Sequence, residues 1–176
     1  VLLEVLDLDG RGHLRQPSGV IAEAGFLFAV AAVSMSLASL AGLVVAFRRS
    51  GSWAAYDLYR LRQIVEFGFA NVLLALGLVP LVPIIGAVDS AVRLVAAVAL
   101  VVFAAHVVVL VRRRHETTPT IRLPFAVIVV DIAVVMLTTT AIVLGTAPAW
   151  EAALLALLAR PMLAFLLVLA TLRSDG

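Results

Sequence analysis

Four ionisable side chains inside largely apolar stretches are candidates for chemistry: Asp131, Arg160, Glu66 and His106. A carboxylate and a guanidinium at one depth can neutralise each other or pass a proton when they separate. A carboxylate beside an imidazole can carry protons near neutral pH, because histidine titrates there. Charges in lipid are costly, so such residues face a bundle interior and raise a functional question by default. Their depths follow from a rise of about 1.5 Å per helical residue. Asp131 lies nine residues after Arg122, roughly 13 Å in, and Arg160 lies thirteen residues before Arg173, roughly 19 Å in. Both fall near the middle of a bilayer core about 30 Å thick. They are therefore expected to pair. The preferred reading is a lock between two helices; the competing one is a proton or ion step in which the pair opens. Glu66 is four residues past Arg62 and His106 six before Arg112, at roughly 6 and 9 Å from the same side. Depth lets them meet. The preferred reading instead bonds Glu66 to Arg62 at i,i+4 and His106 to a neighbouring helix.

The elements that position these residues are legible. The chain has 176 residues, 64% of them hydrophobic, against about 45–50% in ordinary soluble domains. Its mean hydropathy is +1.16. A small water-soluble core cannot bury that excess. Five apolar runs, 20–47, 64–87, 91–111, 123–145 and 152–172, each reach the length of about 20 residues needed to cross a bilayer as helix. They are too long and continuous for the alternating strands of a barrel. The expected fold is all-α: one antiparallel five-helix transmembrane domain over 20–173, preceded by an arm over 1–19 and followed by a tail over 174–176.

All 13 basic residues are arginine. With the alanine, valine and leucine excess, this composition points to a GC-rich bacterial coding sequence. Nine arginines (48, 49, 60, 62, 112, 113, 114, 122 and 173) fall on one side if the spans alternate. The positive-inside rule then sets the N-terminus outside and the C-terminus in the cytoplasm of a plasma (inner) membrane. The same placement disfavours nucleic acid as the partner of this basic chain. The links around Asp89-Ser90 and Thr146–Trp150 are short, so spans two and three should be neighbours, as should four and five. Pro80 and Pro83 are expected to bend the outer end of span two.

Helical spacing sorts the remaining polar positions. Pro124, Asp131, Thr138 and Gly145 recur every seven residues and lie on nearly one line of span four, read as its interior face. Ala153, Ala156 and Ala164 share the face of Arg160, and Pro161 weakens the ladder beside it. Gln63, Glu66, Ala70, Gly77 and Pro80 are read as the interior face of span two. Asn71 is read as an amide joining helices. Ser34, Ala38, Gly42 and Ala46 form a small-xxx-small stripe, preferred as internal packing over a dimer face. Glu23 is expected at the headgroups. Trp53, Tyr56 and Tyr59 suit the interfacial belt, and Arg60 and Arg62 suit the anionic lipids of the cytoplasmic leaflet. The bilayer is thus the first expected partner; a homo-oligomer or a membrane protein partner is also allowed.

Several chemistries find no support in the sequence. There is no cysteine, hence no disulfide or thiolate. HExxH, GxxxxGK[ST] and GxSxG do not occur. His13, His106 and His115 differ too much in height to share a metal or a haem. DLDGRGHL has the look of part of a calcium loop, but Gly10 at position 6 puts Val5 at 1 and Gln16 at 12, where oxygen ligands are required. Residues 1–19 read best as a turn-rich arm; a signal peptide or an over-extended start are the alternatives. No cofactor or metal is expected, and the reading leans away from an enzyme. Two functions remain: a non-enzymatic membrane module (accessory subunit, assembly factor or scaffold), which is preferred, and a small proton-linked carrier.

Overall fold

The computed structural model describes residues 18–47, 55–116 and 125–174. They form five helices: α1 Ser18–Phe47, α2 Ala55–Ile85, α3 Val88–Glu116, α4 Phe125–Leu144 and α5 Ala147–Ser174. Each contains a stretch long and apolar enough to span a membrane: Ala24–Val44, Arg60–Ile85, Val88–Val109, Phe125–Leu144 and Ala147–Ala170. The arm over 1–19 falls almost wholly outside the described residues, as do Arg48, Arg49, Trp53, Pro124 and the side chains of Glu23, Tyr56 and Tyr59.

Helix is the local solution because uninterrupted apolar runs satisfy their backbone groups internally only in that form. Two glycines stop it. Gly86 and Gly145 take φ of 75° and 67°, the left-handed region that ends a helix without a Cβ penalty. Their N–H groups donate to Val82 O and Ala141 O, both at 2.9 Å. The links are shorter than the sequence suggested. Asp89 already sits in the first turn of α3, where a carboxylate complements the helix dipole. Pro148 sits in the first turn of α5, where a missing N–H costs nothing. Likewise α2 begins before the expected span, so the Tyr56–Arg62 segment is helix rather than an approach to it. It also runs on through Pro80 and Pro83 to Ile85.

Helices α2 and α5 hold the bundle together. α5 packs against all four others, and α2 against α1, α3 and α5. The expected neighbours α2–α3 and α4–α5 are in contact. The buried apolar residues form two clusters. The larger draws on all five helices, with Leu27, Phe67, Leu74, Val92, Phe103, Val134, Trp150 and Leu154 among its members. The smaller, Ala41, Leu61, Ile64, Ala164 and Val168, is built from α1, α2 and α5 alone. On α5, Arg160 and Pro161 fall between the last residue of the first cluster, Leu157, and the first residue of the second, Ala164.

The surface is as apolar as the interior: Leu73, Ile84, Phe125 and Met136 are all exposed. In lipid such exposure costs nothing, so close packing and polar contacts, not apolar burial, must hold the helices together. Gly68 shows the closeness. A Cβ there would lie 2.9 Å from Ser34 O and 3.1 Å from Ala38 Cβ. Half of the small-residue stripe of α1, Ser34 and Ala38, is thus buried against α2. The other half, Gly42 and Ala46, is exposed, so internal packing accounts for only part of the stripe.

Candidate functional site

The polar side chains that the sequence singled out meet on four helices. Arg160 projects from the α5 face that carries Ala153, Leu157 and Ala164, all buried. Asp131 projects from α4 on the side of buried Val127, Val134 and Thr138. Arg160 Nε lies 2.6 Å from Asp131 Oδ1, with the two side chains 5% and 21% exposed. The Nε–H is not aimed at that oxygen, which leaves both atoms without a directed hydrogen bond among the described residues. The contact is therefore a close ion pair. Pro161 follows Arg160 and is itself fully buried. It has no N–H to give the carbonyl four residues back, at Leu157, so α5 carries a gap in its ladder beside the charge.

The guanidinium also meets an aromatic. Arg160 Cζ stands 5.8 Å from the centroid of the Phe67 ring on α2, at the outer reach of a cation–π contact. The same ring meets His106 of α3 edge-on at 4.5 Å and Phe103 at 6.4 Å. Gln63, one turn before Phe67, approaches His106 with 2.8 Å between the two Nε2 atoms. An amide nitrogen only donates, so in this contact His106 Nε2 is the acceptor. Charge, aromatic ring, imidazole and amide thus form one connected layer, Asp131–Arg160–Phe67–His106–Gln63.

Glu66 stands apart from this layer. It does not meet His106; it is in contact with Arg62 Nε, four residues back, and the two side chains are 44% and 63% exposed. The face read as interior on α2 is corrected accordingly. Its buried line is Ile64, Phe67, Gly68, Asn71, Ala75 and Leu78, while Glu66 and Pro80 are exposed and Ala70 and Gly77 half-buried. Gln63 keeps to the buried side and takes the place proposed for Glu66. The reason is rotational: docking Gly68 on α1 fixes the azimuth of α2 and turns Glu66 outward.

Three further polar side chains are buried without a hydrogen-bond partner among the described residues: Ser34, Asn71 and Thr138. The contrast with lipid-facing hydroxyls is informative. Ser36 Oγ donates to Ala32 O at 2.8 Å and Thr140 Oγ1 to Met136 O at 2.9 Å. Exposed hydroxyls thus satisfy themselves on their own helix, and the two buried ones do not. The Trp150 indole N–H is likewise buried and unpartnered among the described residues. Sequence reasoning passed over Phe67, Gly68 and Trp150. Phe67 was within reach, since it lies at i+4 from Gln63 on the same face.

The class defined by these features is, among the described residues, an all-helical protein with five helices long and apolar enough to span a membrane and one polar layer across four of them. The chain matches no protein-family model, no curated protein and no solved structure.

Proposed function

We propose that this chain is a multi-pass protein of the bacterial plasma membrane, with five antiparallel spans, its N-terminus outside and its C-terminus in the cytoplasm. The arginine distribution supports that orientation. Within it, the chain acts as a non-enzymatic module: an accessory subunit, assembly factor or scaffold that offers helix faces and cytoplasmic arginines to another membrane protein. The observation that carries this reading is the closed Asp131–Arg160 pair between α4 and α5. A buried pair that neutralises itself fixes how two helices sit, and Glu66, the second acidic candidate, lies outside the layer. Crosslinking in native membranes tests the reading: a defined partner protein should be recovered, and recovery of this chain alone counts against it.

A proton-linked carrier is the second reading. What favours it is that Asp131 is partly accessible while Asn71, Thr138 and Ser34 are buried polar groups without partners among the described residues, a feature of substrate paths in membranes. Purified protein in liposomes decides. pH-dependent flux that Asp131→Asn abolishes, with the fold retained, establishes the carrier; no flux from the wild type under any imposed gradient eliminates it.

A further inference from the structure

Where the last turns of α1 lie beside the first turns of α2, the helices leave a groove of about 390 Å³. Its walls include Ala41, Gly42, Leu58 and Val65, and Arg62 and Glu66 stand on it. Gly42 borders open space in it, since a Cβ there would meet nothing within 4 Å. Further along, Gly68 seats against Ser34 and Ala38, so the two helices close on each other and the cleft tapers. The groove straddles the start of the span Arg60–Ile85, the level at which acyl chains give way to headgroups.

We infer that this groove is a binding site for one glycerophospholipid, with an acyl chain laid along Gly42 and its phosphate held by Arg62. Three features favour that occupant. The lining is apolar except at Arg62 and Glu66. The Arg62 side chain is 63% exposed and contacts Glu66 through Nε, so the carboxylate steadies a guanidinium whose planar fork suits phosphate oxygens. The taper admits a polymethylene chain, whereas a helix about 10 Å across cannot follow it past Gly68. The inference rests on the helices spanning a bilayer and holds for module and carrier alike.

The test uses the whole chain, purified in detergent, stripped of lipid and titrated with dioleoyl phosphatidylglycerol under native mass spectrometry. One lipid should bind about tenfold or more tightly than the rest. Gly42→Leu, which fills open space, should weaken it about tenfold, and Arg62→Gln about fivefold. Val101→Leu, on the exposed face of α3, should leave it unchanged. Retention of the tight lipid by Gly42→Leu overturns the site. So does a wild-type dimer that Gly42→Leu converts to monomer with lipid binding intact, since the groove is then a face between two copies. Should Gly42→Leu fail to fold, a lipid with a photoreactive acyl terminus is applied to wild-type membranes. Label concentrated in residues 37–47 and 58–66 supports the site, and label spread over all five helices refutes it. Release of the chain from native membranes by alkaline carbonate would sink the membrane reading itself, a result separate from the titration.

Discussion

Removing one charge of the Asp131–Arg160 pair should cost much more than removing both. In Asp131→Asn, the guanidinium of Arg160, only 5% exposed, loses its counter-charge and cannot reach water. Breaking a buried pair in this way costs about 3–5 kcal/mol, and an unpaired arginine at the centre of a membrane helix costs about 2.5–3.5 kcal/mol by insertion. The lower figure suits this site, since Asp131 is partly accessible and the Nε–H is poorly aimed. About 3 kcal/mol is a large part of a typical stability of 5–15 kcal/mol. At about 2–4 °C per kcal/mol for a chain of this size, the melting temperature should fall by roughly 6–12 °C. Arg160→Met should also destabilise. The double variant Asp131→Leu/Arg160→Met should return to within about 1–2 kcal/mol of the wild type, because no charge is left to desolvate. Circular dichroism melts of the four proteins in one detergent measure this directly. If the single variants lose less than about 1 kcal/mol, or the double variant melts no higher than the worse single, the pair is not closed in the membrane and the lock argument fails.

Three further outcomes follow from the packing. Gly68→Val should destabilise by about 1–3 kcal/mol through overpacking against Ser34 and Ala38, whereas Gly42→Ala should be neutral or gain a few tenths of a kcal/mol; denaturant titration in micelles separates them. Gln63→Leu should cost only about 0.6 kcal/mol for its hydrogen bond to His106, and should change the imidazole Nε2 shift in a nitrogen NMR spectrum. Asn71→Leu should leave stability unchanged or raise it, since the amide has no partner among the described residues; a loss of stability above about 1 kcal/mol would mean that the amide is satisfied in the membrane.

What the sequence revealed was depth. Counting from flanking arginines placed Asp131 and Arg160 at one level, and the line of small and polar residues on α4 and α5 gave each the correct inward face. Depth also allowed Glu66 to meet His106, but the preferred reading, Glu66 on Arg62 and His106 on a neighbouring helix, is the arrangement found. These helices are apolar all round, so hydropathy carries little information about rotation. Rotation was set instead by one close approach, Gly68 on α1. Nothing in the local pattern of α2 distinguishes Gly68 from Gly77, and taking the wrong glycine turns the helix enough to exchange Gln63 for Glu66. The division of the α1 stripe at Gly42 escaped for the same reason, since a small-residue repeat does not say where its partner helix diverges.

The two apolar clusters imply an order of coming apart. The smaller joins α1, α2 and α5 and owes nothing to α3 or α4. The α3–α4 pair therefore leans on the bundle chiefly through the larger cluster and the charged layer. Local opening should begin with that pair, while α1, α2 and α5 persist as a three-helix remnant. Hydrogen exchange would then divide the chain into two cooperative units, with Arg160 at the seam. During synthesis the same asymmetry makes α5, which emerges after α1 to α4, the one that completes both units.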